Sequence, residues 1–283
     1  MRKKRKKKEE KVKNDNKNEL NKKQLRIYNN LFFAVFCCFL LFFAVFLSKS
    51  TNYLPFLTEN LQNYSFQVGE ELKYKISYGK SNKNRGAILA GYANLSVQEN
   101  GEGNYVLKAS GKTTKLFALF MKVQHQYESI IDRQTLNALE FKMDIEEGKF
   151  VKKDSIEFQQ VTNNHKKTND IVSILYKLRS SKRLKVANTD TIFFSYYYSG
   201  EDYDSYIINM GTEMIKTKLG KHQATKWSPL LEKGRVFKDT TGAFIWTSSE
   251  PMQIPLKLEI PILVGSIYVN IVSAKGTIYD ISK

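Results

Sequence analysis

Apolar and polar residues alternate along much of this chain, and this pattern constrains the fold more than any other feature. In ELKYKISYG (71–79), the second, fourth, sixth and eighth residues are apolar and their neighbours are polar. LEFKMDI (139–145) repeats the pattern with apolar residues again two positions apart. A period of two is typical of a β-strand that buries one face and leaves the other in water.

Further strands are predicted at similar spacing through the rest of the chain. They are YANLSV (92–97), NYVLKAS (104–110), VQHQYESII (123–131), SIEFQQ (155–160), TIFFSYYY (191–198), SYIINM (205–210), MIKTKLG (214–220), AFIWTSS (243–249), IPLKLEI (254–260) and SIYVNIVSA (266–274). Short polar turns with glycine, such as NGEGN (100–104), favour hairpin connections. About a dozen alternating strands must curl to bury one face. The pattern therefore predicts a predominantly all-β domain, built as an antiparallel barrel or a strongly curved half-barrel.

One segment departs from the strand period. TNDIVSILYKLRSSKR (168–183) places Ile171, Leu175 and Leu178 on one face of a helix, with basic residues near its C-terminal end. Asn169 is the expected N-cap of this helix. We expect one amphipathic helix that covers an open end or a face of the sheet.

The N-terminal part of the chain carries a topology signal. Residues 1–30 contain thirteen Lys or Arg and four acidic residues, and the uncharged segment LFFAVFCCFLLFFAVFL (31–47) follows. A basic block before an apolar segment marks the cytoplasmic side of a membrane. The basic tail contains almost no aromatic residue of the kind that stacks on bases, so nucleic acid is not an expected partner. The tail has the composition of a disordered segment.

These features predict four regions in the chain. They are a disordered cytoplasmic tail (1–30), a transmembrane anchor or signal (31–47), a linker (48–65) and an exported β-barrel-like domain (66–283). The expected location is the inner membrane, with a single pass, a cytoplasmic N-terminus and a periplasmic C-terminal domain. The alternative is cleavage after Ser50, where Ser48 and Ser50 occupy the positions of small residues. The domain would then be free in the periplasm.

Residues with catalytic or metal-binding potential are scattered. His125, His165 and His222 are far apart in the sequence and lack metal-ligand spacing. Both cysteines lie within residues 31–47, so the exported domain has no disulfide. The chain contains no GxSxG motif and no glycine-rich phosphate loop. We therefore expect no metal, no cofactor and no enzymatic activity.

Two segments are candidates for ligand binding. In KLFALFMKVQHQYESIID (115–132), an apolar run precedes a strand on which His125 and Tyr127 share one face and Glu128 lies on the other. The run is interpreted as a short inserted helix, as a lip at a cavity mouth, or as a buried element. His125 is interpreted as a core or cavity histidine, or as a ligand or general base.

The second candidate is EKGRVFKDTTGAFIW (232–246), which resembles a hairpin with Arg235, Phe237, Lys238 and Trp246. Cations beside aromatic rings can bind an anionic headgroup or a sugar. An ordinary hairpin with hydrated charges and an inward tryptophan explains the same residues. The candidate ligand-binding residues are His125, Tyr127, Arg235, Phe237, Lys238 and Trp246.

Five segments together resemble a known family. They are GEELKYKISYG, KTTKLFALFMKVQHQYESIIDRQTL, DIVSILYKLRS, TKLGKHQATKWSPLLEKGRVFKDTTGAFIWTS and IPLKLEIPILVGSIYVNI. In this order they are similar to the domain-of-unknown-function 3108 family, over roughly residues 66–278. The resemblance implies a β-rich bacterial cell-envelope protein without an established activity. More distantly, the chain resembles the curved half-barrels of periplasmic lipoprotein carriers, and this second resemblance concerns the fold alone.

Three functions are compatible with these features. The first is non-catalytic binding of an amphipathic or envelope-derived ligand, such as lipid, lipoprotein or glycan, inside the curved sheet. The second is a structural or adaptor protein with a solid core that contacts other envelope proteins. The third is a hydrolase, which requires acidic residues and histidine to meet in one cleft. An open pocket on the inner face of the sheet favours the first function over the second.

Overall fold

The structure is a computed structural model. It describes residues 65–79, 88–119, 122–158, 169–180, 190–231, 241–249, 251–262 and 265–281. The predicted tail and anchor (1–47) lie outside these ranges, as does nearly all of the linker. Within the described ranges, none of the helices combines the length and the apolar character needed to cross a bilayer.

The described chain forms twelve strands and two helices. The strands are β1 (Glu71–Gly79), β2 (Ile88–Glu99), β3 (Tyr105–Thr113), β4 (Val123–Ile131), β5 (Ala138–Glu147), β6 (Phe150–Glu157), β7 (Thr191–Tyr198), β8 (Glu201–Thr217), β9 (Gly220–Pro229), β10 (Phe244–Ser248), β11 (Pro255–Pro261) and β12 (Ser266–Lys275). The helices are α1 (Lys115–Ala118), between β3 and β4, and α2 (Ile171–Ser180), between β6 and β7.

All twelve strands belong to one antiparallel sheet. Its order is β6-β5-β4-β3-β2-β1-β12-β11-β10-β9-β8-β7, so the first strand of the chain pairs with the last. Neighbours in the sheet are otherwise neighbours in the sequence, which fits the short hairpin connections. The prediction of a predominantly all-β fold with a curved antiparallel sheet is confirmed.

Side chains join the two edge strands, β6 and β7, although these strands do not pair through their backbones within the described ranges. The Tyr197 hydroxyl donates to Asp154 Oδ2 at 2.8 Å, and the Lys152 ammonium donates to the Ser199 carbonyl at 2.9 Å. Phe158 packs edge-on against Tyr197. We call this junction the seam. The seam brings the two edges together, and the concave side of the curved sheet encloses the core.

Several strands differ from the sequence prediction. Strand β6 was predicted over 155–160 but covers Phe150–Glu157, and β2 begins earlier than predicted, at Ile88. The segments 205–210 and 214–220 were predicted as separate strands, but β8 covers the first and continues into the second as far as Thr217. A bulge between Asn209 and Thr212 interrupts the alternation, and Asn209 Oδ1 stabilises it by accepting from the Gly211 amide at 2.8 Å. Strand β9 was not predicted, because its first residues, GKHQ (220–223), contain no apolar side chain that would mark a buried face.

Helix α2 confirms the predicted helix, but it is buried on almost every side rather than on one face. It lies on the concave side of the sheet, against β3, β4 and β7. Asp170, and not Asn169, is the N-cap, because its carboxylate accepts from the amides of Val172 at 2.7 Å and Ser173 at 3.0 Å. Asn169 instead accepts from the Tyr197 amide through its carbonyl, which ties the start of α2 to β7.

Candidate functional site

An apolar pocket lies between α2 and the concave side of the sheet. Its volume is about 80 Å³. The helix contributes Ile171, Leu175 and Leu178, which are the three residues predicted to share an apolar face. From the sheet, the apolar lining includes Phe194, Ile207, Trp227, Ile245 and Leu258. These residues come from β7 to β11, and Tyr74, Leu95 and Ala109 add lining from β1, β2 and β3.

The pocket opens on the side of its partly buried lining residues, which are Leu175, Phe194, Ser205 and Thr247. Leu175 of α2 and Phe194 of β7 are half-buried, whereas Ile207 and Trp227 deeper inside are buried. The Trp227 indole donates to Thr247 Oγ1 at 3.0 Å, so its one polar atom is satisfied by the wall. An apolar wall with satisfied polar atoms favours an apolar guest over water or a sugar.

A buried ion pair closes one end of the pocket. Arg179, in the last turn of α2, donates to both carboxylate oxygens of Glu70 at 2.7 and 2.8 Å, and both side chains are almost completely buried. Arg179 also donates to the carbonyls of Ser65 at 3.0 Å and Met252 at 3.1 Å. These bonds satisfy the guanidinium within the protein, so its role is to fix the end of α2 to the chain entry at Ser65.

Two tyrosines surround this ion pair. The Tyr74 and Tyr176 rings are fully buried, and burial is the largest cause that raises the pKa of both phenols above their usual value. Arg179 lies over the Tyr176 ring, with its guanidinium carbon 5.0 Å from the ring centroid. Both phenols therefore stay neutral at physiological pH, and they provide no base for catalysis.

Lys177 is buried in the same helix without an acidic partner in the described ranges. Its ammonium donates to Asn137 Oδ1 at 2.5 Å, and burial lowers its pKa from 10.5 to about 8. A lysine in this state can act as a base only if a substrate reaches it. Lys177 is not among the residues that line the pocket.

His125 forms a buried chain of polar contacts with two other side chains. Its Nε2 lies 2.9 Å from Glu147 Oε1, and its Nδ1 lies 3.3 Å from the Tyr127 hydroxyl. His125 and Tyr127 share the inner face as predicted, whereas Glu128 points outward and pairs with Lys108 at 3.2 Å. None of the three linked residues lines the apolar pocket. The geometry fits a core histidine that lies between Glu147 and Tyr127.

The second predicted cluster is described only in part. Arg235, Phe237 and Lys238 lie outside the described residues. Trp246 lies on the convex face of the sheet, on the opposite side of β10 from Ile245 and Thr247, so the inward tryptophan of the ordinary-hairpin interpretation is wrong. Lysine ammonium groups lie 5.3 and 4.4 Å from its ring centroid, from Lys226 and Lys257 respectively. The ring is 5 % exposed, so these lysines already cover the surface that a ligand would use.

The acidic residues and histidines do not form a metal site in the part of the chain that the structure describes. Glu201, Asp202 and Asp204, which lie in a polar segment of the sequence, are spread along the first residues of β8.

Sequence reasoning missed the residues that organise the interior. Glu70, Asp170 and Lys177 were not singled out, and Arg179 was noted only as one of several basic residues near a helix end. One signal was present in the sequence. DIVSILYKLR (170–179) keeps its charged residues within a segment whose apolar residues occupy more than one helical face. Such a helix can be buried all round if each charge has a partner.

Comparison with known proteins identifies the family. The family model described as "Protein of unknown function (DUF3108)" matches residues 73–272. The chain therefore belongs to the DUF3108 family, as the five sequence segments predicted. Among curated proteins, none matches this chain significantly.

Several solved structures share part of the architecture at low sequence identity. A β-barrel-like protein of the DUF1849 family from Brucella abortus is 10 % identical, with a TM-score of 0.45, over 76 % of this chain and 100 % of that one. A protein described provisionally as a lipoprotein, from Parabacteroides distasonis, is 16 % identical, with a TM-score of 0.35, over 76 % of this chain and 100 % of that one. The third structure is a protein from Bacteroides fragilis that is described provisionally as exported, with a YmcC-like fold. It is 11 % identical, with a TM-score of 0.33, over 75 % of this chain and 98 % of that one.

Proposed function

We propose that this protein is a non-catalytic component of the bacterial cell envelope that binds an apolar segment of a ligand between α2 and the sheet. The observation that carries this proposal is the apolar pocket of about 80 Å³ that opens beside Leu175 and Phe194. Its lining matches the acyl chain of a lipid or lipoprotein better than a glycan. The basic residues 1–30 and the apolar residues 31–47 support an inner-membrane anchor with the β-domain in the periplasm.

The pocket size limits what can enter. A cavity of ~150 Å³ lined by apolar side chains stays dry and accepts benzene. The pocket here has about half that volume, so it holds part of an acyl chain, and the remainder of the ligand lies outside the mouth.

Tryptophan fluorescence tests this proposal, because the two tryptophans of the chain lie on opposite faces of the sheet. Trp227 lines the pocket, and Trp246 is on the convex face. A brominated fatty acid quenches tryptophan only at short range. We expect it to quench the emission of a Trp246→Phe variant, which keeps Trp227, and to leave a Trp227→Phe variant almost unchanged.

A pair of matched variants makes the test specific. Leu175→Phe narrows the pocket, and we expect it to weaken quenching of Trp227 by roughly tenfold in apparent Kd, or about 1.4 kcal/mol. Leu219→Phe enlarges another half-buried leucine, in the β8–β9 turn outside the pocket, and serves as the control. Equal quenching of both tryptophans, or no effect of Leu175→Phe, would contradict the proposal.

A structural or adaptor role is the second candidate. The observation that favours it is the position of α2, which fills much of the concave side with its own buried side chains. In that case the fatty acid quenches neither tryptophan, and cross-linking in cells captures envelope proteins rather than lipid.

A further inference from the structure

The short helix α1 places apolar side chains in solvent. Leu116 is 70 % exposed and Leu119, immediately after the helix, is 79 % exposed; none of the residues of α1 is buried. The helix is nonetheless well formed, because the Thr114 hydroxyl accepts from the Phe117 amide at 3.2 Å. The interpretation of this run as a buried element is therefore wrong for residues 115–119, and the short inserted helix is correct. These leucines are ordered but have little contact with the core.

Other exposed apolar residues lie at the same end of the sheet. The register places the start of β2, the end of β3, the start of β4 and the β5–β6 turn together at this end. The Thr114 amide bonds the Ala90 carbonyl at 2.9 Å, and the Gly148 amide bonds the Lys122 carbonyl at 2.8 Å. The exposed apolar residues at this end are Ile88, Leu116, Leu119, Phe150 and Val151. We call this set the apolar rim.

Lysines flank the apolar rim. Lys112, Lys115 and Lys149 are exposed and make no ion pair within the described part of the chain. The nearby acids are occupied, since Glu146 pairs with Lys122 at 2.8 Å and Glu147 lies against His125. The basic character ends across the seam, where β8 begins with Glu201 and Asp202.

We propose that the apolar rim inserts into the headgroup region of an anionic lipid bilayer. Exposed apolar tips bordered by lysines are the features of a segment that lies in a membrane interface. Apolar side chains enter the boundary between headgroups and acyl chains, and the ammonium groups contact phosphates. A protein partner would not require a row of cations around an apolar tip. The proposal is independent of the pocket and of its ligand.

The length of the chain before the domain permits this orientation. The chain enters the described domain at Ser65, near Glu70, at the end opposite α1. Residues 48–64 number seventeen and reach at most about 60 Å when extended. A ten-residue strand such as β12 spans about 33 Å. The tether from residues 31–47 is therefore long enough for the far end of the domain to reach the same membrane.

An environment-sensitive label on the full chain tests the proposal. Cys37 and Cys38 are replaced by Ser, and a single cysteine at Leu119→Cys carries the fluorophore NBD. The protein is placed in nanodiscs of phosphatidylcholine alone, or of phosphatidylcholine with phosphatidylglycerol. We expect a blue shift and a severalfold rise of emission in the anionic discs, with quenching by nitroxide-labelled lipids. Met214→Cys is the matched control, because Met214 is 66 % exposed in the β8–β9 hairpin at the opposite end.

Charge reversal separates lipid contact from contact with protein. We expect the double variant Lys112→Glu and Lys115→Glu to lose the emission change at position 119. An emission rise that nitroxide lipids do not quench shows a protein contact, and it overturns the proposal. Equal emission at positions 119 and 214, or equal emission in neutral and anionic discs, also overturns it.

Discussion

The two helices reverse the usual distribution of charged and apolar side chains, in opposite directions. Helix α2 carries Lys177 and Arg179 into the interior in its last turn, and its N-cap Asp170 at the other end is also buried. Helix α1 carries Leu116 and Leu119 into solvent. The charges of α2 find fixed partners inside the protein, whereas the leucines of α1 face outward. The difference indicates that α2 stabilises the interior and lines the pocket, whereas α1 contributes apolar side chains to an external surface.

The largest effect is expected from breaking the ion pair that holds α2. Glu70→Gln leaves the buried Arg179 charge without its carboxylate, and we expect a loss of about 3–5 kcal/mol in the free energy of unfolding. Urea unfolding followed by tryptophan emission measures the loss. The double variant Glu70→Leu and Arg179→Met removes both charges and should recover much of the stability. A loss below about 1 kcal/mol for Glu70→Gln would show that the pair does not fix the helix.

The second largest effect expected is a gain in the free energy of unfolding when Lys177 is replaced by an apolar residue. Burial lowers the pKa of this group from 10.5 to about 8, so folding disfavours its charged form by about 3 kcal/mol. Lys177→Met keeps the length of the side chain without the charge, and we expect it to raise the free energy of unfolding by about that amount at neutral pH.

The sign of the pH dependence provides the control for Lys177. Because the pKa of Lys177 is lower in the folded state, the amine does not destabilise the fold above the unfolded pKa of 10.5, where it is neutral in both states. The stability of the natural chain falls as the pH drops from 10.5 to about 8, and the full penalty for the buried charge is present below that pH. The advantage of Lys177→Met over the natural chain should therefore shrink between pH 8 and pH 10.5. An advantage that does not change across this window contradicts the assignment of a buried charge.

A smaller effect is expected at the seam. Tyr197→Phe removes the hydroxyl that bonds Asp154 and keeps the ring that packs on Phe158. We expect a loss of about 1 kcal/mol, which is typical of one hydrogen bond. Hydrogen exchange should show faster exchange in β6 and β7 and little change in β1 and β12. Uniform acceleration over the whole sheet would mean that the seam is not a separate junction.

The smallest effect on stability is expected in α1. Leu116→Ser and Leu119→Ser should each change the free energy of unfolding by less than about 0.5 kcal/mol, because both side chains are already exposed. Leu107→Ala is the comparison, since Leu107 is fully buried and should cost about 2–5 kcal/mol. A loss above about 1 kcal/mol at either α1 leucine would contradict its assignment to an external surface.

The strand architecture could be predicted from the sequence because its signal is local. β1, β4 and β7 have the predicted bounds, since alternation within nine residues reports one buried and one exposed face. β9 could not be predicted in this way, because its first residues pair only with β8 and contain no apolar side chain. A strand without a buried face carries no period of two.

The interior of the site could be predicted only in part. The helical spacing identified three of the five α2 residues that line the pocket, because a pocket wall is a local property of one face. The partners of Arg179 and His125 could not be predicted, since Glu70 is 109 residues from Arg179, and Glu147 reaches His125 only through the pairing of β4 and β5. Contacts of this kind depend on the register of the folded sheet and not on nearby sequence. Roles for Arg235, Phe237 and Lys238 stay predictions.

The most direct test of ligand binding is photo-cross-linking of the full chain in living bacteria. Phe193 and Phe194 are neighbours on β7, and Phe194 lines the pocket while Phe193 points away and is 37 % exposed. A benzophenone phenylalanine replaces each residue in turn, and mass spectrometry identifies the adducts. We expect an acyl-lipid adduct at position 194 and none at position 193. Protein adducts alone at position 194, or the same lipid adduct at both positions, would contradict binding in the pocket.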